Sequence, residues 1–448
     1  MKILFLPIDN RPVCYQLAEM IADIHKGIKL ILPPKEYLGD LRKISDTSNL
    51  MLWFEEKLTE DIDAAVLSLD TIAYGGLIPS RRSNDTFEDI KSRLGKLKVL
   101  IKKSGIKVYA FSSIMRISNN NVNEEEKAYW NLYGEKIFKY SYETDKCGKA
   151  ETDVPNEIIN DYLNTRNRNF RINKMYLEWQ KENIFEKLIF SKDDCAEYGL
   201  NVREAKELEA LGGQTKTGAD EIPLTLLASV LPDSIKVSTE YSEPDSINLI
   251  SNYEDVSIEQ SVKGQLKLAG CEITERNKAD IILYVNNFVN HQGEIVMKHP
   301  TKQFCKIWTE PDKPYIIADV RNANGADNNF VEQIIKTGLS DLFYGYSGWN
   351  TSANTLGSLI CAMKFIYSAK SSNQFDIEAF KRLQTVRFLD DWAYQANVRQ
   401  QLSNPDNKEL TSKMNLFEIQ IAKILNTKIS ARYTFPWNRL FEVEIELN

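Results

Sequence analysis

Short apolar runs rich in β-branched and aromatic residues alternate along the chain with longer stretches of helical periodicity. The runs are Ile3–Ile8, Ile28–Leu32, Ala64–Leu69, Val108–Ser112, Leu188–Phe190, Ile235–Ser238, Ile281–Val285, Tyr315–Ala318 and Leu342–Tyr344. Most are apolar at consecutive positions, as strands buried on both faces of a covered parallel sheet must be. Strands alternating with helices predict βαβ units and an α/β fold. Two architectures hold this many strands. One is a distorted (β/α)8-type barrel with an inserted helical subdomain and a C-terminal helical region. The other is a pair of doubly wound parallel-sheet domains facing a cleft. The site-like turns described next tip the expectation toward the barrel.

Each run ends in a polar turn. The continuations include Asp9-Asn10-Arg11, Asp70 with Tyr74-Gly75-Gly76, Ser113 to Arg116, Asp193-Asp194, Asn286-Asn287, Asp319 to Asn322, and Gly348-Trp349-Asn350. The carboxyl ends of parallel strands are where α/β folds assemble their sites. Any one turn is also accounted for as a helix N-cap, since Asp, Asn and Ser are preferred there. As a set, with Arg and Trp among the caps, the turns predict a binding site. Arg11 fits a ligand clamp or a structural ion pair. Trp349 beside Asn350 fits a sugar ring, or a core aromatic beside a cap.

The organisation follows. A first α/β part covers 1–232 and contains a charged, aromatic helical insertion at 123–185, expected as a lid or a dimer surface. A second α/β part covers 233–370. A C-terminal helical extension covers 371–448 and closes on an aromatic segment at 433–441.

Composition narrows the function classes. The 448 residues are 43% hydrophobic and 27% charged, with a formal net charge of −7, and Lys and Arg form no stripe. That predicts no nucleic-acid partner. The apolar start is short, no run approaches membrane-spanning length, and the six cysteines contain no CxxC pair. A cytoplasmic protein with no membrane partner is therefore expected. The three histidines, His25, His291 and His299, form no ligand pair. No cofactor is expected, although a Mg²⁺ site built from Asp70, Asp193, Asp194, Asp220 and Asp319 stays open.

The sharpest local motif is Thr217-Gly218-Ala219-Asp220-Glu221-Ile222, a short extended segment that turns at glycine into paired carboxylates and a helix. Paired carboxylates in unequal environments divide acid and charge-stabilising roles. The same residues also suit a helix cap and first turn. The segment Gly218 to Ile222 resembles the Gly-Gly/Ala-Asp-Glu-Val signature of family-twenty β-N-acetylhexosaminidases. The resemblance implies Glu221 as acid/base and Asp220 as the residue orienting the substrate's acetamide, whose oxygen is the nucleophile. Lys216 stands where that signature has His or Asn.

A broader resemblance rests on Leu6 to Pro12, Asp70 with Ala73 to Leu77, Gly218 to Glu221, and Gly348 to Thr351 with Asn354 to Gly357, in this order. These elements are similar to those of a bacterial family of unknown function, number 4127, and imply one site assembled from the whole chain.

The resulting expectation is an enzyme: a retaining, substrate-assisted glycoside hydrolase acting on small amino-sugar glycosides. Glu221 and Asp220 would be its catalytic pair. Asp9, Asn10, Arg11, Asp70, Tyr74, Arg116, Asp193, Asp194, Asn286, Asp319, Arg321, Trp349 and Asn350 would bind a small-molecule sugar. A Mg²⁺-dependent hydrolase or lyase and a non-catalytic sugar- or metabolite-binding protein are the alternatives.

Overall fold

The computed structural model describes residues 1–448. The chain divides into two compact units. The first comprises Met1–Asn10, Leu30–Pro223 and Tyr253–Asp255; the second comprises Arg11–Lys29, Leu224–Asn252 and Val256–Asn448.

The first unit is built on β1 (Lys2–Leu6), β2 (Lys29–Ile31), β3 (Ala64–Ser68), β4 (Lys107–Ile114), β5 (Lys187–Lys192) and β6 (Thr215–Thr217). They form one sheet in the order β2-β1-β3-β4-β5-β6, and the pairs from β1 through β6 are parallel. β3 is buried at every position, as the apolar run Ala-Ala-Val-Leu requires. The helix Phe87–Ser104 shows how crossovers are fixed locally. A Thr86–Asp89 capping box opens it, Gly105 closes it in the left-handed region, and Ile90, Leu94, Leu97 and Ile101 make its buried stripe.

The stretch at 123–185 resolves into two helices, Trp130–Cys147 and Asn156–Lys181. The second packs on β4 and β5 as their crossover. The first contributes Trp130 and Ile137 to an apolar cluster with Met115, Ile117, Tyr162 and Leu200.

The second unit holds β7 (Lys236–Tyr241), β8 (Glu272–Ile273), β9 (Ile281–Asn286), the short β10 (Gly293–Glu294), β11 (Tyr315–Asp319), the short β12 (Asn322–Ala323) and β13 (Phe343–Ser347). Its main sheet runs β13-β11-β9-β7-β8, with every pair parallel; β10 and β12 pair separately. Counted as the strands enter it, this order is 2-1-3-4-5, the same as the first five strands of the other sheet. In that order the chain reverses direction across the sheet beside its first strand, between β1 and β3 and again between β7 and β9.

Toward the C-terminus follow the helix Ile377–Arg387, a π-helix over Phe388–Val398, the helix Asn407–Leu425, and an antiparallel pair of β14 (Ala431–Thr434) and β15 (Glu444–Leu447). No helix is long and apolar enough to cross a membrane.

Candidate active site

In the first unit the strand ends carry a row of polar groups. The register sets Ser113 of β4 beside Ser191 of β5, and Ser191 beside Lys216 of β6. The Ser191 and Ser113 hydroxyls lie 3.1 Å apart. Asp70, in the first turn after β3, continues the row. Its Oδ2 accepts the Ser113 backbone N–H at 2.9 Å, and its Oδ1 lies 2.8 Å from the Ser112 hydroxyl. Asn173, from the crossover helix, sits 2.8 Å from the same hydroxyl. Asp70 has 0% of its surface exposed. Burial raises its carboxyl to about 6 against the pull of these donors. Tyr74, also buried, lies under the Arg168 guanidinium, 5.4 Å from the ring centre.

At the end of β6 the predicted motif turns as its glycine allows. Gly218 has φ +105°, and a Cβ built there would meet Glu221 Oε1 at 1.7 Å. The Glu221 carboxylate is therefore folded back over the glycine, with 1% of the residue exposed, and Asp220 is buried beside it in sequence. Lys216 is half-buried. Burial brings its ammonium down to about 8, with Glu221, Glu254 and Asp255 resisting and Lys192 adding to the fall.

Glu254 and Asp255 arrive from far along the sequence, in the segment Tyr253–Asp255 that belongs to this unit. Asp255 takes the Lys192 ammonium on one oxygen and the Thr217 hydroxyl, at 2.6 Å, on the other. Burial opposes its charge, yet Lys192 and these bonds hold its carboxyl below the usual range. Lys192 and Thr217 are register partners, so one carboxylate staples β5 to the edge strand β6.

A third group joins Arg81 and Arg116 to Glu125, Glu126, Asp193 and Asp194. Arg116 reaches Glu125 at 2.8 Å, Asp194 at 3.0 Å, and Asp193 and Glu126 at 3.3 Å. Arg81, itself buried, reaches Glu125 at 3.1 Å. Four carboxylates thus face two guanidinium groups. Burial first, and then the neighbouring Asp193, raise the Asp194 carboxyl to about 6.

The second unit has its own network at its strand ends. Arg321, 0% exposed, donates to Asn286 Oδ1 at 3.1 Å, the Lys302 carbonyl at 2.8 Å, Ser242 Oγ at 3.1 Å and Glu243 at 3.0 Å. It ties the turns after β7, β9 and β11 together. Asp319 accepts from Asn286 at 2.8 Å, the Asp327 N–H at 2.8 Å and the Tyr346 hydroxyl at 3.1 Å. Burial, followed by Asp327, raises it to about 7. Asp391 of the π-helix accepts the Gly348 N–H at 2.7 Å and holds the turn carrying Trp349 and Asn350. Trp349 is 4% exposed, its ring edge-on to Phe441. Asn350 is left-handed, φ 51°, and its carbonyl accepts the Asn324 N–H at 2.8 Å. Arg11 lies over the Trp437 ring at 5.2 Å.

Of the residues expected from sequence, Asp9, Asn10, Asp70, Tyr74, Arg116, Asp193, Asp194, Asp220 and Glu221 fall in the first unit. Arg11, Asn286, Asp319, Arg321, Trp349 and Asn350 fall in the second. The reading missed Arg81, Asn173, Lys192, Glu254 and Asp255, and it noted Lys216 only as a departure from a signature. Lys192, closing an apolar strand, carried a local signal. Asp255 carried none, because its partners lie 38 and 63 residues away. No group of three or more His, Cys, Asp or Glu side chains is placed to hold a metal ion.

A family model described as "Protein of unknown function (DUF4127)" matches residues 3–446. No curated protein matches. A solved structure described as the crystal structure of SacUVDE is similar at 10% identity and a TM-score of 0.24, over 84% of this chain and 100% of that one. At that score the likeness carries no argument.

Proposed function

Because the chain belongs to the DUF4127 family, whose description names no activity, its chemistry has to be read from its residues, and we propose that it is a glycoside hydrolase acting on small amino-sugar glycosides. The observation that carries this reading is the seat of Glu221: a buried carboxylate folded over Gly218 at the end of a parallel strand, beside a second buried acid, Asp220. A carboxyl withdrawn from water is what a general acid requires, since burial favours the protonated form. In this scheme Glu221 protonates the departing glycosidic oxygen. The substrate's own acetamide oxygen attacks the anomeric carbon, oriented by Asp220. Glu221 then draws the proton from the water that opens the intermediate. Lys216 replaces the neutral polar residue of the resembling signature and holds positive charge near Glu221 whenever it is protonated.

We read the fold behind this site as two doubly wound sheets of 2-1-3-4-5 order, in preference to one barrel. Six free cysteines fit a reducing cytoplasm.

The test is hydrolysis of a panel of aryl glycosides, including β-GlcNAc and β-GalNAc, by the wild-type chain and Glu221→Gln. Cleavage of an N-acetylated member should fall by roughly 10²–10⁴-fold in the variant, the span of a lost general acid. An active panel with an equally active variant would remove Glu221 from the mechanism. A silent panel would remove the glycosidase reading.

A further inference from the structure

The first unit contains a cavity of about 360 Å³, and none of its wall comes from β6 or the Glu221 turn. Its volume falls in the roughly 300–1,000 Å³ span of small-molecule pockets. Its place is the reversal of the sheet beside β1, where open α/β sheets bind their ligands. β1 lies between β2 and β3. Residues 40–47 of the wall follow β2, and residues 74–85 follow β3. The two stretches meet over the exit of β1. The Ser45 N–H donates to the Gly75 carbonyl at 3.0 Å, and the Asn10 N–H donates to the Gly39 carbonyl at 3.2 Å. A Cβ built at Gly76 would meet the Ile8 carbonyl oxygen at 3.1 Å. Arg82 straps the loop from the other side, its Nη1 donating to the Leu41 carbonyl at 3.2 Å. The cavity is thus held open by main-chain bonds before any ligand arrives.

We propose that this cavity binds a small hydroxylated phosphomonoester, the phosphate of a polyol or sugar. Charge accounts for the phosphate. Four cations, Arg42, Lys43, Arg82 and Arg93, share the wall with two carboxylates, Asp40 and Asp85, which leaves two positive charges over. A phosphomonoester carries about −1.5 to −2 at neutral pH. The four cations are not equivalent. Arg82 is spent on the main-chain carbonyls of Leu41, Asn123, Glu124 and Glu126, and contributes its field. Arg93 is held by Asp85 at 3.0 Å and by the Ala73 carbonyl. Lys43 donates to the Glu36 carbonyl at 2.6 Å and has no carboxylate partner. Arg42 is exposed, and its guanidinium makes no hydrogen bond or ion pair. Its loop is nonetheless fixed, because Asp40 Oδ1 accepts the Arg42 and Lys43 N–H groups at 2.7 Å each. A planar guanidinium fork on a fixed loop matches two phosphate oxygens. Asp40 Oδ2 and Asp85 Oδ1 take no hydrogen bond and remain acceptors for ligand hydroxyls. The site does not depend on Glu221, so it stands or falls apart from the glycosidase reading.

The experiment titrates the full chain with glycerol 3-phosphate, inorganic phosphate and glycerol by calorimetry at pH 7.5 and constant ionic strength. Wild type is compared with Arg42→Ala and with Lys408→Ala, which removes an exposed lysine of the second unit. Glycerol 3-phosphate should bind saturably and more tightly than inorganic phosphate, and glycerol should give no signal. Arg42→Ala should weaken glycerol 3-phosphate by roughly 10–100-fold, the worth of the charge-assisted hydrogen bonds removed. Lys408→Ala should leave the affinity unchanged. Affinity should also fall below about pH 6, where the phosphate loses its second charge. In the wild-type chain, hydrogen exchange at residues 42–45 should slow when glycerol 3-phosphate is bound, a readout that needs no variant to fold. No saturable binding of either phosphate, an equal loss in both variants, or protection confined to other segments would overturn the proposal.

Discussion

At the scale of single residues, Gly218 determines where Glu221 sits. Its φ of +105° lies where L side chains are strained, and its missing Cβ leaves the space the carboxylate occupies. Gly218→Ala adds both faults. The carboxylate is the far end of a flexible side chain and can move aside, so the steric part is small and the backbone part dominates. The expected loss of stability is about 1–2 kcal/mol, read by urea denaturation. Activity that depends on Glu221 should fall far more than that figure implies, because a displaced acid misses its proton acceptor. A variant with wild-type activity would show that the acid does not act from this seat.

At the scale of elements, β6 is a three-residue edge strand that would be marginal if it relied on its ladder alone. The segment Tyr253–Asp255 secures it. Asp255 binds Lys192 and Thr217, and the Tyr253 carbonyl accepts the Cys195 N–H at 3.2 Å. Asp255→Ala would leave the Lys192 ammonium buried without its ion-pair partner, a change that typically costs about 3–5 kcal/mol. Hydrogen exchange should show the loss locally, with protection falling at Cys195 and along β6 before the rest of the unit. Unchanged protection there would mean that the ladder suffices. The π-helix Phe388–Val398 plays a comparable part in the second unit, where Asp391 holds the Gly348 N–H. Such windings are rare and concentrate at positions where a side chain must be aimed.

At the scale of the whole molecule, the buried acids set a pH dependence. Asp70 and Asp194 are raised to about 6, and Asp319 and Asp391 to about 7, by burial above all. Unfolded, each titrates near ~3.9. Between these values the folded chain binds more protons than the unfolded one, so stability falls as pH rises through that window and levels off above it. His25 and Lys216, both lowered by burial, pull the other way but are outnumbered by the raised carboxyls. The urea midpoint should therefore be higher at pH 5.5 than at pH 8. A midpoint that climbs with pH would contradict the buried, raised state of these carboxyls.

The chain's α/β class, its principal parallel strands and the polar turns at their ends were legible in the sequence. A strand covered on both faces has to be apolar throughout, and a helix start has to satisfy its own N–H groups, so both leave local marks such as Ala64–Ser68 and Asp70. The Gly218-to-Glu221 turn was legible for the same reason, since only glycine permits that backbone beside a carboxylate. Strand order, the shared 2-1-3-4-5 sequence of the two sheets, and the assignment of Arg11–Lys29 to the second unit were not. These follow from which apolar faces find each other, a contest settled by contacts between residues remote in sequence. The pairing of Lys192 with Asp255 was decided there too, since the partner carboxylate lies 63 residues further along the chain.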